Sequence, residues 1–203
     1  MCGVGLSDRR LMRRASWDDG WLLKARAMAS PNHGLRPVGT VPWLVVLHSI
    51  SLPPGVYGGD AIERLFTNRL AIDEHPYFAR LAGVEVSAHF LIRRNGRVQQ
   101  FVSCQRRAWH AGQSCWRGID NCNDYSIGIE LEGLEGERFA AVQYPSVGLL
   151  VQTLARRYPL CEVVGHEHVA PGRKRDPGPG FDWSRLVREL GWPRSRFAPW
   201  IAS

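Results

Sequence analysis

The apolar residues of this chain fall into a few runs of distinct period. Trp43-Leu-Val-Val-Leu47 is apolar without alternation, which predicts a central strand buried on both faces. His48 falls at its end. Asp60 is placed to cap a helix whose Ile62, Leu65 and Phe66 share one face, and a short helical piece is expected around Tyr77–Leu81. Val86 to Arg94 and Arg97 to Val102 flank Asn95-Gly96, the preferred residue pair for a two-residue hairpin turn. Tyr125 to Leu131 alternates: Tyr125, Ile127, Ile129 and Leu131 face one way, and Ser126, Gly128, Glu130 and Glu132 the other. Val147, Leu150, Val151, Leu154 and Tyr158 keep helical spacing behind Pro145, and Pro159 ends that helix. Cys161 to Gly165 reads as a short last strand with His166 at its end, and a final helix starts near Asp182 or Ser184. Together these elements predict an α/β (α+β) fold: one domain, a central mixed sheet containing a hairpin, and flanking helices.

Length and composition fit that picture. A chain of 203 residues with 44 % apolar and 22 % charged positions has enough material for one buried core. Its apolar runs are too short to span a bilayer. Residues 1–15 contain Arg9, Arg10, Arg13 and Arg14 without a following apolar stretch, so they read as a basic leader rather than a secretory signal. The domain is expected over 16–203. The cysteines, five in number, are irregularly spaced with no Cys-x-x-Cys pair, which favours free thiols and a cytoplasmic location. The net charge of +7 suits either nucleic acid or an anionic substrate. The basic residues are scattered rather than gathered on one helix, so nucleic acid is not expected as the partner.

Among the histidines, His48 and His166 stand out because each follows an apolar strand, where a sheet fixes a side chain and a loop leaves it accessible. The segment from Gly165 to Trp183 combines His, Glu, Lys, Arg and Asp with four glycines and three prolines, the composition of a stiff site loop. The residues alone do not choose among Glu167, Asp176 and Asp182 as partners for the histidines. Nor does alternation separate Glu130 from Glu132.

Five segments in order carry a family resemblance: Leu47 to Gly55, Val86 to Gly96, Arg107-Ala-Trp-His-Ala-Gly112, Cys122 to Gly133, and His166 to Trp183. In these the chain resembles the AmpD-type N-acetylmuramyl-L-alanine amidases of bacterial cell-wall recycling, within the wider type-2 amidase group. The resemblance implies one Zn²⁺ per chain held at the strand ends by His48, His166 and Asp176, with Glu130 and Lys174 catalytic. Two imidazoles and a carboxylate are a suitable zinc set, and three protein ligands leave a position open for chemistry.

The implied reaction is hydrolysis of the amide between the lactyl group of 1,6-anhydro-N-acetylmuramic acid and L-alanine. The implied partner is an anhydro-muropeptide, with no nucleic acid and no membrane insertion. Ser49, Trp109, His110, Arg93 and Arg107 are the candidate substrate contacts, with Arg94 a further candidate for peptide carboxylates. Ser49 stands where the family has Asn, and Gly172, Arg175, Glu167 and His168 also depart from its pattern. The alternative function is a non-catalytic muropeptide-binding module, against which stand filled positions for all three ligands and both catalytic residues.

Overall fold

The computed structural model describes residues 16–198; the basic leader over 1–15 lies outside them. Six strands form the main sheet: β1 (Arg26–Ala27), β2 (Leu44–Ile50), β3 (Phe90–Ile92), β4 (Val98–Gln100), β5 (Ser126–Glu132) and β6 (Glu162–Gly165). Their spatial order is β6-β2-β5-β3-β4-β1. β2 runs parallel to both β5 and β6, β3 is parallel to β5, and β3–β4 is the antiparallel hairpin. The helices are α1 (Ala61–Phe66), α2 (Pro76–Ala79), α3 (Gln143–Ala155), α4 (His166–Val169) and α5 (Trp183–Leu190). This is the single α/β domain that the apolar pattern predicts.

The two faces of the sheet differ in kind. One carries Val45, Leu47, Phe90, Ile92, Ile127, Ile129, Leu131 and Val163 into a core covered by Val147, Leu150 and Leu154 of α3 and Leu186 and Leu190 of α5. The other has an apolar cluster around Val46, Val164, Trp116 and Val169, and a second around Leu91, Phe101, Ile62 and Phe66. Between those clusters, alternation along β2 and β5 leaves Ser126, Gly128, Glu130 and His48 on one polar strip. The site lies on that strip.

Four expectations needed revision. β2 continues two residues past His48, because its pairing with β5 extends to Ile50↔Glu132; His48 is therefore held inside the strand. The Asp60 side chain does not cap α1 and instead pairs with Arg64 at 3.1 Å. α3 begins at Gln143, with Pro145 in its first turn as expected, but it ends at Ala155, so Pro159 does not end it and Tyr158 lies outside it. The hairpin loop has three residues: Arg93 N–H donates to Arg97 O at 2.9 Å, and Gly96 N–H donates to Arg93 O at 2.8 Å. Only Gly96 of the Asn-Gly pair has positive φ, at 82°, as in a type I turn closed by a left-handed residue.

Candidate metal centre and active site

Parallel pairing assembles the centre. Gly165 of β6 is in register with Leu47 of β2, so the next residue on each, His166 and His48, fall side by side. Glu130 of β5 is in register with His48 from the other flank. Asp176 comes from the loop after α4, whose path is fixed where Glu167 N–H donates to Asp176 O at 2.9 Å.

His48 Nδ1 lies 2.9 Å from His166 Nδ1. Asp176 Oδ2 is 3.2 Å from the first and 3.1 Å from the second. No other set of three or more histidine, cysteine or acidic groups among the described residues is placed to hold a metal. The Nε2 of His166 lies 3.1 Å from the carbonyl of Ala111; a carbonyl only accepts, so Nε2–H donates to it. Neutral His166 then presents a bare lone pair at Nδ1. An imidazole lone pair, a second imidazole nitrogen and a carboxylate oxygen converge on one point, an arrangement that asks for a cation. Tetrahedral zinc with bonds of about 2.0–2.1 Å sets its ligand atoms about 3.3 Å apart, close to the triangle observed. The residues present therefore fit zinc.

The protonation states agree with ligand duty. Burial, then repulsion by His166, depresses His48 to about 4. Burial raises Asp176, but the His166 and His48 imidazoles facing its Oδ2 outweigh that and hold the carboxyl well below its usual range. A neutral imidazole and an ionised carboxylate are the forms that bind metal.

Glu130 is half-buried, but its Oε2 is shut away from solvent and has no hydrogen-bond partner. Burial first, then the charge of Asp176, raises its pKa well above 4.5, while Lys174 pulls it back. Lys174 itself is exposed, and its ammonium is near enough to act on both Glu130 and His48. Glu132, on the same face, is fully engaged elsewhere. Its carboxylate accepts from Arg93 Nη1 at 2.9 Å, Gly58 N–H at 2.6 Å and Arg94 N–H at 3.0 Å. The tertiary partners thus separate the two glutamates that alternation left equivalent. In the same way Asp182 is consumed in capping α5 through Arg185 N–H at 2.8 Å.

The substrate-contact candidates divide. Arg93 is buried, and its guanidinium bonds Glu63, Glu132, Gln99 and the Gly59 carbonyl. It is framework, and the expectation that it meets peptide carboxylates is corrected on that ground. Arg107 pairs with Asp124. Arg94 lies over the Tyr57 ring, 4.2 Å from its centre. Ser49 falls on the opposite face of β2 from His48. Trp109 is half-buried, anchored where its N–H donates to Asn32 O at 3.2 Å and its carbonyl accepts from Ser87 N–H at 3.1 Å. His110 stacks against Gly128, where an added Cβ would lie 2.5 Å from its ring.

Residue-level reading missed Arg173, whose guanidinium donates to the carbonyls of Ala111 at 2.5 Å and Gln113 at 2.6 Å. It also missed Ser126 and Asn123 behind His110. Ser126 was visible as a member of the polar strip; Asn123 had no signal. Of the other histidines, His89 accepts from Gly128 N–H, His168 from Gly165 N–H and His75 from Tyr77 N–H, whereas His33 keeps a buried Nδ1 without a hydrogen-bond partner.

Comparison with known proteins agrees with this geometry. A family model described as N-acetylmuramoyl-L-alanine amidase matches residues 38–179. The chain is 49 % identical over 171 residues to a 1,6-anhydro-N-acetylmuramyl-L-alanine amidase, AmpD, of Enterobacter cloacae, covering 83 % of this chain and 91 % of that one. It is similar to the crystal structure of a selenomethionine AmpD derivative, with TM-score 0.84, 46 % identity, and coverage of 86 % and 99 %. It is also similar to Escherichia coli AmiD in complex with anhydro-N-acetylmuramic acid-L-Ala-D-γ-Glu-L-Lys, with TM-score 0.53, 30 % identity, and coverage of 87 % and 66 %.

Proposed function

Since the chain belongs to the N-acetylmuramoyl-L-alanine amidase family, we propose that it is a zinc hydrolase of peptidoglycan recycling. It cuts the amide joining the lactyl group of 1,6-anhydro-N-acetylmuramic acid to L-alanine of the stem peptide. The observation that carries this reading is the convergence of His48, His166 and Asp176 beside the unpartnered carboxylate oxygen of Glu130. A muropeptide-binding module has no use for a carboxylate that keeps a buried, unpartnered oxygen next to a metal triad.

An amide carbonyl is a weak electrophile and water a weak nucleophile. When bound, zinc supplies a Lewis acid for the carbonyl oxygen and makes water more acidic. Glu130, held in β5 at the register of His48, takes the proton of the attacking water and delivers it to the amine nitrogen of L-alanine as that bond breaks. Its raised pKa suits both halves of that task, since a group that ionises too easily returns a proton poorly. Lys174 reaches in from the loop that also carries Asp176 and donates to the oxygen on which negative charge develops. Loss of one such donor costs about 10²–10³ in turnover. Lys174→Ala is accordingly expected to lower kcat by that factor with zinc content unchanged. A variant that keeps its zinc and its full rate removes Lys174 from the mechanism.

The reading as a whole is tested by metal analysis of the purified protein, followed by release of peptide from anhydro-muropeptide with and without chelator. One zinc per chain, hydrolysis, and its loss on chelation with return on zinc addition are expected. Tight muropeptide binding with no peptide released at full zinc loading establishes the binding module instead.

We further propose that the amidase unit extends from residue 16 to 203 and works in the cytoplasm. The unpaired state of Cys104, Cys115, Cys122 and Cys161 supports the second point. No helix among the described residues is long and apolar enough to cross a membrane. Trp109, Arg107 and Arg94 remain the proposed substrate contacts, whereas Ser49 lies on the face of β2 away from His48.

A further inference from the structure

Ser126, at the start of β5, has one hydroxyl proton and two polar neighbours. Its Oγ lies 2.5 Å from the Cys122 carbonyl and 3.1 Å from His110 Nε2. A carbonyl can only accept, and two oxygen acceptors do not rest at that separation without a proton between them. The hydroxyl proton therefore points to Cys122, and toward His110 the serine oxygen accepts. This places the single proton of a neutral His110 ring on Nε2. Neither ring contact of His110 is to an anion that would hold a second proton there. Its Nδ1 is then a lone pair, 3.0 Å from His48 Nε2, and accepts that group's N–H. With its proton committed at Nε2, His48 presents a bare Nδ1 to the metal triad.

The adjacent residue does the same for the other imidazole, since the Ala111 carbonyl accepts from His166 Nε2–H. Two neighbouring residues thus set both ligand tautomers. Their position is fixed from behind, where the Asn123 Oδ1 accepts from the N–H groups of His110 at 3.1 Å and Ala111 at 2.8 Å. The space for the His110 ring exists because residue 128 is glycine.

Resting on the zinc reading above, we propose that His110 and Ala111 form a tautomer clamp for the zinc site. His110, oriented by Ser126, is a positioning residue that keeps Nδ1 of His48 free to bind the metal. Metal-binding histidines depend on the acceptor at their other nitrogen, and removing it typically costs about 10–100-fold in affinity. His110 supplies that acceptor from a second imidazole, which is usable only in one tautomer, and Ser126 selects it.

The test is the zinc dissociation constant of the whole protein, measured by competition with a chromophoric chelator, for Ser126→Ala, His110→Phe, His110→Gln and Gly128→Ala. Ser126→Ala and His110→Phe are expected to bind zinc about 10–100-fold more weakly. His110→Gln keeps an amide oxygen able to accept from His48 and is expected to restore most of the loss. Gly128→Ala removes no polar group but displaces the His110 ring, and is expected to weaken zinc as well.

A second readout is the pair of ¹⁵N shifts of His48 in the metal-free protein. They report Nε2–H alone in the unaltered chain and a mixture of tautomers in Ser126→Ala. Unchanged zinc affinity in folded Ser126→Ala and His110→Phe, or an unchanged His48 tautomer in Ser126→Ala, overturns the clamp. Should His110→Phe fail to fold, Ser126→Ala decides alone, since it deletes one oxygen atom. Should the unaltered protein take up no zinc, the metal reading fails, while the ¹⁵N shifts still decide whether His110 sets the His48 tautomer.

Discussion

Glu130→Gln is expected to lose about 10²–10⁴-fold in kcat, the usual contribution of a positioned general acid–base, while zinc content and melting temperature stay near those of the parent. Glutamine has the shape of glutamate and no ability to hold a proton at that oxygen. The change therefore isolates proton transfer from packing. The pH dependence carries a second, independent signature. A base works only when ionised, so activity falls as pH drops through the Glu130 pKa.

Burial and the neighbouring charge of Asp176 lift that pKa well above 4.5. Without metal the carboxyl therefore titrates above the ordinary carboxylate range. Lys174 and a bound cation both favour the carboxylate, so the acid limb of kcat/KM moves down as zinc is loaded. Carbon-13 titration of the Glu130 carboxyl in metal-free protein is expected to give a pKa above 4.5, and zinc to lower it. A Glu130→Gln enzyme with undiminished turnover assigns the proton work to another group.

Arg93→Ala is the substitution expected to cost most stability. Arg93 stands between two buried carboxylates, Glu63 and Glu132. Removing it leaves two negative charges facing one another out of water. Breaking a buried pair by deleting one partner costs about 3–5 kcal/mol. For a domain of this size each kcal/mol shifts Tm by about 2–4 °C, so a fall on the order of 10 °C is expected in calorimetry. Because Glu132 sits two residues from Glu130 on the same face of β5, its carboxylate, then held only by the Gly58 and Arg94 N–H groups, also adds uncompensated negative charge near the site. Arg93→Lys retains the charge but loses the fork that reaches Gln99 and the Gly59 carbonyl together with both glutamates. It is expected to fall between the parent and the alanine variant. An Arg93→Ala protein as stable as the parent shows the cluster to be neutral in net effect.

Much of the fold was legible along the chain because its strands and its longest helix have clear periods. The apolar run Trp43–Leu47 predicted a central strand, and β2 is central, paired on both flanks. Alternation in residues 125–131 put Tyr125, Ile127, Ile129 and Leu131 on one face. The last three enter the helix-covered core, while Tyr125, just before the strand starts at Ser126, packs with Val46 and Val164 in the opposite cluster. Loop and cap chemistry was less legible. Asn-Gly announced a hairpin but not the three-residue loop it closes, since only the strand register decides whether Asn95 must adopt positive φ. Asp60 has the chemistry of a cap, yet a nearby Arg64 competes for its carboxylate.

For the centre itself, the residues alone determined the ingredients. Two histidines beside apolar strands, a polar strip on β5, and a stiff loop rich in acid and base made a site legible before any geometry. The family resemblance named the ligands among them, but it could not say why these residues and not their neighbours. Glu130 and Glu132 are equivalent in the sequence, and so are Asp176 and Asp182 as chemistry.

The tertiary structure distinguished each pair by a single physical criterion, which partners were already taken. Glu132 is bound by Arg93 and two backbone N–H groups, and Asp182 caps a helix. Glu130 keeps a buried oxygen with no partner, and Asp176 meets two imidazole nitrogens. A carboxylate's chemistry is written in its own atoms, and its availability is written in atoms far along the chain. Only the parallel register of β6, β2 and β5 brings those atoms together.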